Sequence, residues 1–320
     1  MDKCTCVSIQ GGGSKGLMCI GMIMALDDHL PLKLKRSRSE YFNQIKMFSG
    51  CSVGSMVALM LLVNIETAFI REVLQPILSS SHSILPNPDI SNLINNFGLD
   101  DARAIRWIVY KTLRSAGMCD DATFRDIERL LHKKFTCVAT DLKSKRPVYF
   151  SADDTPDVKV ADAIIMSCTL PFIFSPMKHK GHVMVDGCLS HLMPRNTILE
   201  ETLFIEFGET TEPDEINSLN DYIYSILRMT VERTDGSWYR DRPHITLQLP
   251  SSMDLNAFRD FSSMDDTRLN AIVKAGYAST MMFLYSNYIS TIEAVIYMVY
   301  ETILQQYCCS ELGPEAHNCS

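Results

Sequence analysis

Ile45-Lys46-Met47-Phe48-Ser49-Gly50-Cys51-Ser52-Val53-Gly54 carries an apolar, strand-like run into the helix-like stretch Met56 to Val63. A strand that turns into a helix within about four residues strains the residue at the tip and leaves room only for glycine beside it. Gly50 and Gly54 occupy those flanks, and Ser52 stands at the tip as a candidate nucleophile. The same pattern is also met as an inert Gly/Ser turn, so the surrounding sequence has to decide between the two readings.

Upstream, the strand-like run Cys6 to Gln10 ends in Gln10-Gly11-Gly12-Gly13-Ser14-Lys15-Gly16 and opens into a helix marked by Leu17, Ile20, Ile23 and Met24. Unhindered backbone N–H groups gathered at a helix start favour negative charge, either a bound phosphate or an oxyanion developing on an attacked carbonyl. The Walker order fails, because Ser14 precedes Lys15 and Gly16 follows it. Gly11, Gly13 and Gly16 do satisfy G-x-G-x-x-G, which keeps a dinucleotide reading open. The acid that should end a second strand is missing, however, since Asp27 and Asp28 fall in the helix.

Downstream, Val183-Met184-Val185 runs into Asp186-Gly187. Strand-end geometry places Asp186 at the carboxyl edge of the sheet, beside Ser52. An aspartate hydrogen-bonded to a serine hydroxyl can take its proton and activate it. Alone, Asp-Gly is more often an ordinary turn.

Further strands are expected at Phe135 to Thr140, Pro147 to Ser151, Leu203 to Phe207 and Ile245 to Leu249. Helices are expected at Ala102 to Leu113, Phe124 to Leu131, Ile216 to Val231 and Thr267 to Leu284. The alternation predicts an α/β sandwich on a mostly parallel central sheet. A catalytic domain over 1–284 is expected, with a helical insert at about 65–132, a loop over the Pro/Ser-rich stretch Ser79 to Pro88, and a tail over 285–320.

The glycine loop after strand one, the Gly-x-Ser-x-Gly elbow and the later Asp-Gly, in this order, resemble the patatin-like phospholipase family. Ala139-Thr140-Asp141-Leu142, Pro147 to Ser151, and Ala163 through Ser167, Pro171, Phe174 and Pro176 extend the resemblance, which covers roughly Thr5 to Met282. It implies a three-layer α/β/α sandwich and a Ser-Asp dyad, with Ser52 as nucleophile and Asp186 as base. It also implies an oxyanion site from the amides around Gly11, Gly12 and Gly13, supported by Lys15, Gly16, Gly50, Gly54 and Gly187. The implied reaction is hydrolysis of a phospholipid or other glycerolipid ester through an acyl-Ser52 intermediate, with no cofactor or metal. Lys15 is expected either to orient the loop or to meet a phosphate.

Departures from the family pattern are Cys51, Val53, Cys188 and Leu192. Val53 is expected to crowd the oxyanion site. Cys51 is a minor alternative nucleophile, and Phe172, Ile173, Phe174 and Met177 are candidate groove-lip or core residues. A Ser-His-Asp triad through His191 or His244 is another alternative. At the level of function, the rivals are a catalytically inactive lipid-binding or regulatory protein of the same fold, and a dinucleotide-binding protein.

Composition bounds the rest. The 320 residues are 46% hydrophobic and carry a formal charge of -8, which argues against a nucleic-acid partner. The basic run Lys33, Lys35, Arg36, Arg38 reads as a solvated loop, with anionic lipid head groups as the alternative contact. Eleven cysteines without a zinc spacing, and an N-terminus that runs at once into a strand, predict a cytoplasmic protein with free thiols and no signal peptide. Tyr285 to Tyr307 is apolar at helical spacing but holds Glu293 and Glu301, so it is expected to be an amphipathic helix rather than a span. Peripheral contact with a membrane surface follows as an expectation.

Overall fold

The structure, a computed structural model, describes residues 1, 3–78, 89–195, 201–208, 216, 222, 225–226, 237–239, 241–250 and 265–286. The expected loop at Ser79 to Pro88 lies outside these residues, as do the helix expected at Tyr285 to Tyr307, beyond its first two residues, and nearly all of the helix expected at Ile216 to Val231. The chain divides into two compact units, Met1–Met281 and Met282–Ser320. The sheet and the site described below lie in the first.

Eight strands form the main sheet. β1 (Cys6–Ile9), β2 (Met47–Cys51), β4 (Lys134–Asp141), β9 (Thr202–Phe207) and β10 (His244–Leu247) run parallel in the order β10-β9-β1-β2-β4. Their residues are buried almost throughout: all four in β1, seven of eight in β4. Such continuous burial is what parallel strands covered on both faces require, and it explains why these segments read as apolar runs rather than alternating ones. β5 (Arg146–Ser151), β8 (His182–Asp186) and β7 (Met177–His179) complete the sheet as antiparallel neighbours. The fold is an α/β sandwich on a mostly parallel sheet, as expected.

Helices connect and flank these strands. α1 (Met18–Leu34) follows β1 after a short 3-10 turn at Gly13–Leu17, α2 (Arg38–Asn43) leads into β2, and α3 (Val53–Leu62) leaves it. α1 continues ten residues beyond Met24 and contains Pro31. The segment between α3 and β4 holds α4 (Thr67–Leu78), α5 (Ile90–Asn96), α6 (Arg103–Ser115) and α7 (Phe124–Leu131). It is not wholly helical: β3 (Gly98–Asp100) pairs with β6 (Phe172–Phe174), a small second sheet that the sequence did not reveal. α8 (Val160–Cys168) precedes β6, and α9 (Asp266–Tyr285) matches the helix expected at Thr267 to Leu284. Among the described residues, no helix is long and apolar enough to cross a membrane.

One expectation fails at the basic run. Arg38 is not solvated but buried, with Nε on Asp27 Oδ1 at 2.6 Å and Nη2 on the Ile65 carbonyl at 2.9 Å. A guanidinium with five donors can tie the end of α1 to the chain beyond α3, and its partners satisfy the charge that burial would otherwise penalise.

Candidate active site

Ser52 and Asp186 are brought together by an unusual use of one strand edge. β5 occupies one edge of β4 over Thr136 to Asp141, so the other edge is left to β2 and β8. β2 runs parallel along it and ends with Cys51 opposite Val138. β8 runs antiparallel along the remainder and ends with Asp186 opposite Ala139. The two strands therefore meet head-on at adjacent residues of β4. Asp186 does reach Ser52, but from the opposite direction to the one expected from strand-end geometry, because β8 is antiparallel.

The elbow is strained at its tip. Ser52 sits at φ 51° and ψ -130°, a conformation that costs a non-glycine residue on the order of 1–3 kcal/mol and persists only where its surroundings enforce it. The surroundings here are specific. The Ser52 N–H donates to Ser167 Oγ on α8 at 2.8 Å, Ser167 in turn donates to the Val138 carbonyl, and Ser55 Oγ donates to the Ser52 carbonyl at 2.6 Å. A Cβ on Gly54 would lie 2.4 Å from the Gln10 carbonyl oxygen, and one on Gly50 would lie 2.2 Å from the Gly54 carbonyl oxygen. Both glycines are thus required by backbone packed against backbone.

Ser52 Oγ donates to Asp186 Oδ2 at 2.8 Å, while Asp186 Oδ1 accepts the Cys188 N–H at 2.9 Å. The Asp186 N–H is held by the Thr169 carbonyl, and its own carbonyl by Thr140 Oγ1. Asp186 is 3% exposed, and among the described residues no cationic side chain pairs with its carboxyl group. Burial pushes its pKa up from 3.8 to about 6, against the opposing pull of the Cys188 N–H and the Ser52 hydroxyl. A base of that strength is still ionised at neutral pH and is stronger than a solvated carboxylate.

The two histidines of the alternative triad are engaged elsewhere. His191 Nδ1 bonds the Tyr149 hydroxyl at 2.8 Å, and His244 opens β10 with Nδ1 on the Arg242 carbonyl. No histidine among the described residues is hydrogen-bonded to Ser52 or Asp186.

The glycine loop lies against this elbow and is anchored to the end of β9. Gln10 Oε1 accepts the Phe207 N–H at 2.6 Å, Lys15 Nζ donates to the Gly208 carbonyl at 2.9 Å, and a Cβ on Gly12 would fall 2.4 Å from the Phe207 ring. Lys15 therefore orients the loop, one of the two roles expected for it. Gly11 departs from its expected role: its N–H is spent on the Leu192 carbonyl at 2.9 Å, and it lacks a side chain because Cys188 Sγ occupies the space. The amides of Gly12 and Gly13 have no partner among the described residues. Gly13 holds φ 55°, which turns the chain into the helical entry to α1.

Val53 packs against the glycine loop at Gly16. Its Cγ2 lies where a Cβ on Gly16 would stand, 2.2 Å away, so the branched side chain fills the space beside that glycine. Gly187 is similarly required by the Val138 carbonyl. Cys51 points into the core, wholly buried against Val138 and Cys188, and burial raises its thiol pKa, so it is not a rival nucleophile. Of the four lip candidates, Ile173 and Phe174 are core, Met177 is half-buried and Phe172 is half-exposed. Sequence reasoning did not assign structural roles to Ser167, Gln10 or Thr140. Each lay in a stretch that carries the family resemblance, Ser167 in the segment from Ala163, Thr140 in Ala139 to Leu142 and Gln10 at the head of the glycine loop.

A mostly parallel α/β sheet with a strained serine elbow, a buried aspartate on its hydroxyl and a glycine loop beside it defines a hydrolase-like fold. Residues 7–199 match the family model for patatin-like phospholipase, and the chain belongs to that family. It is 27% identical over 256 residues to an uncharacterized protein of Acanthamoeba polyphaga mimivirus, covering 74% of this chain and 80% of that one. A probable lipid hydrolase of Invertebrate iridescent virus 6 is 22% identical over 182 residues, covering 56% and 58%. Among solved structures, VipD from Legionella pneumophila superposes with a TM-score of 0.56 at 16% identity, over 89% of this chain and 67% of that one. At that identity the likeness concerns the fold.

Proposed function

We propose that this protein is a serine lipid acyl hydrolase that releases fatty acid from phospholipid or other glycerolipid esters. The observation that carries this reading is the 2.8 Å hydrogen bond from Ser52 to a buried Asp186 that, among the described residues, no cationic side chain pairs with. Family membership and the similarity to a probable lipid hydrolase support the substrate class.

In the proposed cycle Asp186 takes the Ser52 proton as Oγ attacks the ester carbonyl, and the Gly12 and Gly13 amides receive the developing oxyanion. Loss of one such donor typically costs about 100- to 1,000-fold in rate. Protonated Asp186 then gives its proton to the departing lipid alkoxide, leaving acyl-Ser52. Water enters, loses a proton to Asp186 and attacks the acyl group; the tetrahedral intermediate collapses, the fatty acid leaves, and Ser52 recovers the proton. The proposed setting is the cytoplasmic surface of a membrane, consistent with a substrate that resides in a bilayer.

The test is fatty-acid release from phosphatidylcholine vesicles and hydrolysis of a soluble chromogenic ester. Activity in the wild type that is lost in Ser52→Ala and Asp186→Ala supports the reading. Equal activity in all three contradicts the dyad, and no activity on any ester favours a lipid-binding protein of the same fold.

A further inference from the structure

Two thiols flank the aspartate at the candidate active site. Cys51 ends β2 immediately before the elbow, and Cys188 follows Asp186 by two residues. Their sulfurs lie 3.5 Å apart, and together with a carboxylate oxygen of Asp186 they form three ligand atoms all within 4.8 Å of one another. All three side chains are buried, and no other such group is found among the described residues.

The spacing suits a particular class of ion. Tetrahedral zinc with Zn–S bonds of about 2.3 Å and a Zn–O bond of about 2.0 Å sets its two sulfurs roughly 3.8 Å apart and each sulfur roughly 3.5 Å from the oxygen. The thiol pair is therefore a few tenths of an ångström from the separation that coordination requires. The donor set also discriminates: two sulfurs with one oxygen favour a thiophilic divalent ion over magnesium or calcium, which take oxygen ligands. A buried carboxylate without a cation is itself short of a counter-charge.

We propose that Cys51, Cys188 and Asp186 form an inhibitory site for a thiophilic divalent cation of the zinc class. The ion takes Cys51 and Cys188 as thiolates and one oxygen of Asp186, with water in the fourth position, and the two thiol protons pass to solvent. Once Asp186 is a metal ligand it cannot accept the Ser52 proton, so occupancy switches hydrolysis off. Metal binding does not depend on the function proposed above, whereas the inhibition does rest on it.

The full-length protein, kept reduced with a non-chelating phosphine, is titrated with Co2+ and its absorption recorded. Coordination predicts a thiolate-to-cobalt charge-transfer band and tetrahedral ligand-field bands in the wild type, displaced by Zn2+. The same bands are expected to vanish in Cys188→Ala and in Cys51→Ser. Losing a direct ligand should weaken binding beyond the roughly 10- to 100-fold that loss of an outer partner costs. In the ester assay, Zn2+ should suppress the wild-type rate and a chelator should restore it, while Cys188→Ala retains its own metal-free rate at the same free zinc. Absence of the charge-transfer band in the wild type overturns the site, whether or not the protein hydrolyses esters. So does an undiminished band in both variants, and Zn2+ inhibition that is equal in wild type and Cys188→Ala overturns its regulatory role.

Discussion

Asp186 reaches Ser52 across 2.8 Å because β8 and β2 run at each other along one edge of β4 and end opposite Ala139 and Val138. The two side chains are thus placed by sheet register rather than by flexible loops. Placement on the ends of paired strands, with the Cys188 N–H on Asp186 and Ser167 on the Ser52 backbone, is what gives the pair a defined geometry.

The buried carboxylate has a pH signature. With the pKa of Asp186 pushed up to about 6 by burial, the base is lost to protonation as pH falls through that value. The rate of ester hydrolysis is expected to drop on the acid side with a midpoint near 6, and a pH profile of kcat/KM checks it. An acid limb near the ordinary carboxylate value would place the base elsewhere.

The same shift predicts a stability change. A carboxyl whose folded pKa lies above its unfolded value contributes stability fully below pH 3.8, and loses it as pH rises through about 6. At neutral pH the ionised group costs on the order of 3 kcal/mol relative to an unshifted one. Asp186→Asn, which keeps an acceptor for the Cys188 N–H, should therefore raise the melting temperature at pH 8 and raise it less at pH 5. Thermal denaturation at the two pH values is the measurement, and a lower melting temperature at pH 8 contradicts the burial cost.

Gly16 and Val53 form a complementary pair. Gly16→Ala should destabilise the protein by about 1–3 kcal/mol through overpacking against Val53, and Val53→Ala in the same chain should recover much of the loss. Denaturant unfolding of the two single variants and the double variant measures the coupling.

His191 offers a negative control. Its Nδ1 is engaged by Tyr149, so His191→Ala should leave ester hydrolysis within a few-fold of the wild type. A loss comparable with that of Ser52→Ala would restore the triad.

All seven strands expected from apolar runs are present; five of them, β1, β2, β4, β9 and β10, are parallel strands, whose burial on both faces announces itself by continuous hydrophobicity, and the other two, β5 and β8, are antiparallel neighbours of β4. The direction of β8 was not legible from apolar content, which is the same for either sense. One local signal was overlooked: His179-Lys180-Gly181-His182 closes the β7–β8 hairpin with Lys180 and Gly181 both at positive φ, the geometry of a two-residue hairpin turn. β3, β6 and β7 have three residues each, too few for a period to show. The glycines, Ser52 and Asp186 stood out because backbone geometry and chemistry restrict those positions to few residue types. The commitment of the Gly11 amide to Leu192 and the burial of Arg38 depend on long-range partners in segments that carry no pattern.

Whether Asp186 makes Ser52 a nucleophile can be read from covalent labelling. The protein is treated with a fluorophosphonate carrying a lipid-like chain, digested and analysed by mass spectrometry. A phosphonyl adduct is expected on Ser52 in the wild type, none in Ser52→Ala and a greatly slowed reaction in Asp186→Asn. An adduct on another residue, or labelling of Ser52 at the same rate in Asp186→Asn, would contradict the dyad.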